Sequence, residues 1–273
     1  CETVELAGDA GFNLLGRFAN CSEYAESLRS MASYYRLHKK DFAHQPYYEV
    51  KEFPHQYMLA TGATHFLGME WENVRTLHVW LRLNVSEELA NPKIKEHRII
   101  ELGLKFGEDS VLLDGGILGE EKLLGKFVEY VQKFDPDVIC GHNLYKHILF
   151  FLAARAKKSK VPLRLGRGER EVWSERYTMP LAERRLEFPR LRVFGRSLLD
   201  TWILAQSYDI FKREMDSYAL PYLAAYLGLR DDEREEADTL EALEESADVA
   251  TTLVQNYFHL SQMLPYSLED SVI

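Results

Sequence analysis

One stretch near the middle of the 273-residue chain combines helix, strand and turn signals and constrains the fold most strongly. Apolar residues recur at the spacing of one helical face over residues 120–134, and Asp-Pro-Asp at 135–137 ends that helix. Val-Ile-Cys at 138–140 predicts a short buried strand, Gly-His-Asn at 141–143 predicts a turn, and residues 144–157 predict a second helix. Ligands of α/β folds bind outside the carboxyl ends of strands, so the turn is a candidate site. The alternative is a polar connection that carries no site.

A second stretch predicts a strand with two different faces. Residues 77–85, LHVWLRLNV, alternate strictly, with Leu and Val on one face and with Trp80 and Arg82 on the other. Residues 97–107 and 110–116 predict two further strands. Three strands followed by helix, strand and helix predict a mixed α/β domain.

Charge is distributed unevenly along the chain. The formal net charge is −10, which argues against a general surface for polyanions. Residues 160–196 nevertheless carry ten basic against five acidic residues, and residues 231–248 carry ten acidic residues against one basic residue. We therefore expect any contact with nucleic acid to use the basic segment, including Arg164, Arg167 and Arg170. The alternative is that both segments are solvated faces.

The remaining features of the composition predict an intracellular protein. No apolar run approaches the roughly 20 residues that span a bilayer, and no signal peptide is visible. The three cysteines form neither a metal-binding spacing nor a disulfide framework. We expect a location in the cytoplasm or nucleoid, or in the nucleus if the source is eukaryotic, and no membrane partner.

Residues 135–152 resemble the second exonuclease motif of the family B DNA polymerases, roughly DPDVI-x-G-[HY]-N-x-x-x-F-D-x-x-x-L. The matching positions are Asp135, Pro136, Asp137, Val138, Ile139, Gly141, His142, Asn143 and Leu152. His147 and Ile148 stand where the family has Phe and Asp, and that Asp is a metal ligand in the family.

Two further motifs of the same family are recognisable mainly through their flanking residues. In the first motif, Leu-x-x-Asp-Ile-Glu, Trp80 takes the position of the Asp and Arg82 that of the Glu. In the third motif, Tyr-x-x-x-Asp, Asp248 matches the Asp and Glu244 takes the position of the Tyr. The resemblance implies a ribonuclease H-like exonuclease domain over residues 69–273, with a mixed sheet flanked by helices, and a small amino-terminal α/β lobe over residues 1–68.

The resemblance also implies how the site would work, and which parts of it have changed. The 3′→5′ exonuclease of the family uses two divalent metals, and Mg²⁺ prefers carboxylate oxygens. In this chain the four ligand positions hold Trp80, Arg82, Ile148 and Asp248, and of these only Asp248 is a carboxylate. We therefore expect an inactivated site without a metal cofactor, in a module that binds nucleic acid or has a structural role in DNA replication or repair. The implied partners are single-stranded or primer-template DNA, a polymerase core and other replication proteins.

Several residues near this site have two interpretations. Trp80 either packs in the core or stacks on a base, and Arg82 either pairs with Asp248 or holds a phosphate. His142, Asn143 and His147 either line the mouth of the site or have structural roles. In the structural interpretation, His142 and Asn143 satisfy backbone groups and His147 is a core or boundary residue of an apolar helix.

Two other functions remain open from the sequence. An active exonuclease with rearranged ligands would use Mg²⁺ or Mn²⁺ and carboxylates from Asp200, Glu244, Glu245 and Asp248, although Asp200 is also expected as a helix N-cap. A protein-interaction module without a nucleic-acid role would use the acidic residues 231–248.

Overall fold

The computed structural model describes residues 2–5, 14–38, 53–63, 73–85, 90–181, 184–230 and 238–263. The chain divides into two compact units, Cys1–Gly68 and Met69–Ile273. The assignment of residues 1–68 to a small lobe and of residues 69–273 to an exonuclease-like domain stays a prediction.

The smaller unit contains two short strands and two helices among its described residues. Strand β1 (Glu2–Glu5) pairs antiparallel with β2 (Leu14–Arg17). Helix α1 (Cys21–His38) and helix α2 (Phe53–Thr61) follow. This composition agrees with the predicted α/β lobe.

The larger unit is built from seven strands, six α-helices and two short turns of other helical types within the described residues. In chain order these are β3 (Thr76–Leu83), β4 (Ile99–Phe106), β5 (Asp109–Asp114), α3 (Gly115–Leu118), α4 (Glu120–Phe134), β6 (Val138–Gly141), a π-helical turn (Leu144–Ile148), α5 (Leu149–Ser159), a 3₁₀ turn (Arg167–Glu169), β7 (Trp173–Leu181), β8 (Arg184–Arg192), β9 (Ser197–Asp200), α6 (Thr201–Lys212), α7 (Leu220–Tyr226) and α8 (Thr239–Met263).

Five of these strands form one mixed sheet in the order β5-β4-β3-β6-β9. Strands β3, β4 and β5 pair antiparallel, whereas β6 and β9 run parallel to β3. The amino ends of β3, β6 and β9 therefore lie at one edge of the sheet, here called the amino edge, and their carboxyl ends lie at the opposite carboxyl edge. The predicted mixed α/β architecture is confirmed.

The alternation in β3 separates two apolar layers. Leu77, Val79 and Leu81 are buried in the larger core, which they share with residues of α4 and α5. Trp80 points to the other face and packs against a second apolar cluster formed by α6, α7 and α8. Within the described residues, no helix is long and apolar enough to cross a membrane.

Part of the basic segment, which the sequence left as either a hairpin or a loop, forms a hairpin. Strands β7 and β8 pair antiparallel from Trp173↔Arg192 to Leu181↔Arg184. The hairpin packs on the π-helical turn, where the rings of Tyr145 and Phe188 lie 4.9 Å apart.

Candidate functional site

A cavity of about 240 Å³ lies at the carboxyl edge of the sheet, beside the turn that follows β6. Its lining consists of Trp80, Leu81, His142, Asn143, His147 and Ile148. Two of the four family ligand positions, Trp80 and Ile148, therefore meet at one place, together with the three polar residues that were expected at its mouth.

Backbone geometry brings these residues together. Asn143 adopts a left-handed conformation with φ 55° and ψ 44° and begins the π-helical turn. Its carbonyl oxygen accepts hydrogen bonds from the amide of His147 at 3.0 Å and from that of Ile148 at 3.3 Å. The continuous helix predicted over residues 144–157 is therefore wrong in its first turn, which is π-helical, and regular α-helix begins at Leu149. Single π-helical turns are frequent at functional sites.

The two imidazoles of the cavity are neutral near pH 7. Burial lowers the pKa of His142 to about 4, and its Nδ1 lies 3.0 Å from the hydroxyl of Thr201. Burial also lowers the pKa of His147. The buried Oδ1 of Asn143 has no hydrogen-bond partner among the described residues. The cavity therefore offers neutral donors and acceptors rather than charge.

Trp80 and Ile148 supply no oxygen atom to the cavity. Ile148 is 1% exposed, and Trp80 is partly buried against Val249 and Leu253 of α8 and their neighbours. An indole and an alkyl group cannot bind a hard cation such as Mg²⁺.

Arg82 is held by a neighbouring strand. Its Nε lies 3.1 Å from Oε2 of Glu101, and its Nη2 donates to Oε1 at 3.2 Å. The side chain of Arg82 is nevertheless 48% exposed. Helix α8 begins at Thr239, whose hydroxyl donates to Glu101, and it then runs along β4 toward Lys105.

The expected ion pair between Arg82 and Asp248 is wrong, because the helix carries Asp248 away from Arg82. Strand β4 runs antiparallel to β3, so α8 leaves the level of Arg82 as it proceeds. Asp248 lies nine residues after Thr239, about 14 Å along the helix axis, and its side chain is exposed.

The other carboxylates proposed as rearranged ligands do not come together. Asp200 is 4% exposed and accepts hydrogen bonds from the amides of Trp202 at 3.0 Å and Tyr145 at 3.1 Å. It is thus the N-cap of α6, as predicted, and burial raises its pKa to about 6.

Glu244 and Glu245 are also engaged elsewhere. Glu244 lies 2.7 Å from Nζ of Lys105, and Glu245 lies 2.6 Å from Nη1 of Arg230. In the part of the chain that the structure describes, no three His, Cys, Asp or Glu side chains are grouped to hold a metal ion. The donor set does not fit the two-metal site of the exonuclease family.

The basic residues predicted to contact nucleic acid lie near the amino edge, at the other end of the sheet from the cavity. Arg167 is held in ion pairs with Asp135 at 2.9 Å and Asp137 at 2.5 Å. Hydrogen bonds, above all the one from Arg167, hold the pKa of Asp135 well below its usual range. Arg164 approaches Glu169 at 3.8 Å, and the guanidinium carbon of Arg170 lies 3.9 Å from the centroid of the Phe194 ring. Arg167 thus fixes the turn before β6.

Sequence reasoning missed several residues. Thr201 gives no sequence signal of its contact with His142, since 59 positions separate the two residues. Trp173 and Phe194 are 51% and 43% exposed, and the alternation of the hairpin gives no signal of it, because Trp173 shares its face of β7 with the less exposed Tyr177.

Comparison with known proteins points to one family. A sequence model described as "DNA polymerase family B, exonuclease domain" matches residues 116–223. A protein named DNA polymerase 2 from Aeropyrum pernix is 31% identical over 86 residues, which are 31% of this chain and 11% of the relative. A DNA polymerase from Archaeoglobus fulgidus is 30% identical over 76 residues, which are 28% of this chain and 10% of the relative. The matches thus span about a tenth of the length of these curated relatives.

A solved structure agrees with the fold. The family B DNA polymerase from the hyperthermophilic archaeon Pyrobaculum calidifontis superposes with a TM-score of 0.51 and 18% identity, covering 68% of this chain and 24% of that one. Together with the five-stranded mixed sheet flanked by helices, this similarity confirms the predicted ribonuclease H-like fold. The chain therefore contains an exonuclease-like region of the family B DNA polymerases, matched over residues 116–223.

Proposed function

We propose that this exonuclease-like region is a non-cleaving module that binds a DNA strand as part of the replication or repair apparatus inside the cell. The observation that carries the proposal is the lining of the cavity at the carboxyl edge, which contains an indole, two imidazoles, an amide and two alkyl groups and no carboxylate. The archaeal relatives are named as DNA polymerases, which supports DNA as the partner class.

The chemistry of hydrolysis explains the first half of the proposal. Metal-assisted cleavage needs an ion that aligns a water molecule and stabilises the leaving oxygen. Trp80 and Ile148 offer no ligand atom, and the guanidinium of Arg82, which is paired with Glu101, offers none either. The single negative charge of Asp248 is too small to balance the charge of two Mg²⁺ ions. We therefore derive no hydrolytic step at this site.

Neutral groups of the cavity suit contact without cleavage. The indole of Trp80 offers a flat apolar surface, and the neutral His147 offers one donor and one acceptor, whereas Nδ1 of His142 already contacts Thr201. Such a lining favours an uncharged planar ring over a metal-bound phosphate. A polymerase core that packs on this region is the second partner that we propose, since the family places the exonuclease domain in one chain with the polymerase.

The experiment that tests this function uses the pure protein and a 3′-labelled single-stranded oligonucleotide with Mg²⁺ or Mn²⁺. We expect retardation of the oligonucleotide in a native gel and no shortening of it. Metal-dependent shortening that disappears in the Asp248→Ala variant would contradict the proposal. If the oligonucleotide is neither retarded nor shortened, DNA binding is refuted, and bracing of a polymerase core remains as the role.

The two other functions considered from the sequence have no specific observation in their favour. An active exonuclease would need Asp200, Glu244 and Asp248 at one place, and their side chains lie at separate places with separate partners or in solvent. A protein-interaction module would use the acidic run, of which residues 231–237 lie outside the described residues.

A further inference from the structure

We infer that single-stranded DNA binds on the amino edge of the sheet, on the side of the domain away from the cavity. The surface consists of Arg164, Arg170, Trp173, Arg192 and Phe194, and is called the amino-edge patch below. This inference rests on the proposed function, because it names the surface through which the non-cleaving module would hold a strand.

Two large aromatic side chains of the patch are exposed. Trp173 is 51% exposed and Phe194 is 43% exposed. The guanidinium carbon of Arg170 lies 3.9 Å from the centroid of the Phe194 ring. Proteins that hold single strands combine exposed aromatic rings, on which bases stack, with arginines that contact the backbone. The patch has both parts.

The members of the patch share one face of the chain. Trp173 lies directly opposite Arg192 in the register of β7 and β8, so their side chains point to the same side of the hairpin. After β8 the alternation continues, since Arg192 is exposed, Val193 is buried and Phe194 is exposed again. The two rings and two of the arginines therefore form one continuous surface.

The three arginines of the patch, Arg164, Arg170 and Arg192, provide cationic groups for an anionic partner. The segment 160–196 has a balance of ten basic against five acidic residues in a chain of net charge −10. None of the described carboxylates lies within ion-pair distance of Arg170. Arg164 and Arg192 approach Glu169 at 3.8 Å and Glu175 at 2.8 Å, in pairs that are largely exposed. Such exposed pairs are weak, so a phosphate group can replace the carboxylates readily.

The scaffold under the patch is rigid. Arg167 joins the 3₁₀ turn to Asp135 and Asp137, and its amide donates to the carbonyl oxygen of Phe194 at 2.9 Å. Arg196, whose side chain is 1% exposed, donates to Asp135 at 2.8 Å and to the carbonyl oxygen of Leu165 at 2.7 Å. Binding at the patch therefore needs little ordering of the protein, which favours affinity.

Stacking on Trp173 and Phe194 requires bases that are not already stacked in a duplex. The patch is thus expected to prefer single-stranded over double-stranded DNA. The surface is also distinct from the cavity, because the cavity lies beside Gly141 at the carboxyl end of β6, whereas Arg167 and Arg196 fix the patch at the amino ends of β6 and β9.

The test measures binding of a fluorescent dT oligonucleotide by anisotropy across a series of salt concentrations. Trp173→Ser and Phe194→Ser should each weaken binding about tenfold, and Trp173→Phe should restore most of the loss, because a ring is retained. Arg170→Glu should weaken binding and reduce the slope of log affinity against log salt by about one. These side chains are exposed, so the variants are expected to keep the fold, which circular dichroism checks.

Matched controls lie elsewhere on the same domain. Phe150→Ser removes a ring that is 40% exposed on α5, and Arg98→Glu makes the same charge change at an exposed position before β4. Both controls should bind the oligonucleotide as the wild type does.

The possible outcomes separate the inference from the proposed function. The inference is overturned if the Trp173, Phe194 and Arg170 variants bind with wild-type affinity and Trp80→Leu loses affinity. That result would place the strand at the cavity, and the proposal of a non-cleaving module would stand. Absence of binding by the wild type would overturn both. If the oligonucleotide is shortened in a metal-dependent way and the patch variants still lose affinity, the proposed function is overturned but the inference about the patch stands.

Discussion

Gly141 lies so close to the backbone of Val79 that a Cβ atom at this position would be 2.8 Å from the Val79 carbonyl oxygen. The same atom would lie 2.9 Å from Cδ1 of Ile148, in the wall of the cavity. The turn between β6 and the π-helical turn therefore depends on a residue without a side chain.

The first prediction follows from this contact. Gly141→Ala should lower the free energy of unfolding by about 1–3 kcal/mol, because β3 and the π-helical turn must move apart to admit the methyl group. Gly125→Ala is the control, since a Cβ there meets nothing within 4 Å and a helix interior favours Ala by about 0.5–1 kcal/mol. Urea denaturation measures both variants. Equal stability of Gly141→Ala and wild type would show that this close approach is absent in solution.

Restoring a carboxylate of the family motif should not restore a metal site. Ile148→Asp places a charge at a position that is 1% exposed, and we expect it to lower the free energy of unfolding by about 3 kcal/mol or more. Ile148→Leu should cost less than about 1.5 kcal/mol.

Thermal denaturation with and without Mn²⁺ tests this prediction further. A metal that binds only the folded state raises its stability. We expect Mn²⁺ to leave the stability of Ile148→Asp unchanged, because Trp80 still occupies its place in the cavity lining. A recovery of stability with Mn²⁺ would reveal a ligand set close to that of an active exonuclease.

Burial of Asp200 predicts a pH dependence of stability. Its pKa is about 6 in the folded protein against an ordinary value of 3.8, so between these values the folded state binds more protons than the unfolded state. This group therefore adds stability as the pH falls through 6, and the contribution is lost as the pH rises above 6. From pH 7 to pH 5 the wild type should gain about 1 kcal/mol relative to Asp200→Asn. Urea titrations of both proteins at the two pH values measure the difference, and parallel pH profiles would contradict it.

Arg196 should be the most sensitive member of the ion-pair network at the amino edge. Its side chain is 1% exposed and donates to Asp135 and to the carbonyl oxygens of Leu165 and Pro136. Arg196→Met leaves the two carbonyl oxygens without this donor, although Asp135 keeps Arg167, and should lower the free energy of unfolding by about 3 kcal/mol. Arg98→Met, at an exposed position, should change it by less than about 0.5 kcal/mol. Similar values for the two variants, measured by urea denaturation, would rule out a structural role of the network.

Much of the sheet could be predicted from local patterns. The alternation over residues 77–85 indicates a strand with one apolar face, and the structure buries Leu77 and Val79 on that face. The packing of Trp80 against helices on the other face is a tertiary contact that the alternation does not encode. Asp200 could be predicted as an N-cap because a short acidic side chain between a strand and an apolar helix has few other roles.

Other features depend on tertiary contacts that local patterns do not encode. The π-helical turn has the same apolar spacing as an α-helix over five residues, so periodicity cannot reveal it. The pair of Arg82 and Asp248 was expected from motif positions alone, whereas the path of α8 across β4 decides that Arg82 meets Glu101. The π-helical turn and the path of α8 account for the errors at the candidate site.

Binding of Mn²⁺ to the pure wild-type protein, followed by electron paramagnetic resonance, tests the central claim most directly. The account predicts no saturable sub-millimolar site, because the cavity carries no carboxylate and the acidic side chains that the structure describes form no group that could hold a metal ion. One or two Mn²⁺ ions bound with sub-millimolar affinity, and lost on Asp248→Ala or Asp200→Asn, would contradict the account and indicate an exonuclease with a rearranged ligand set.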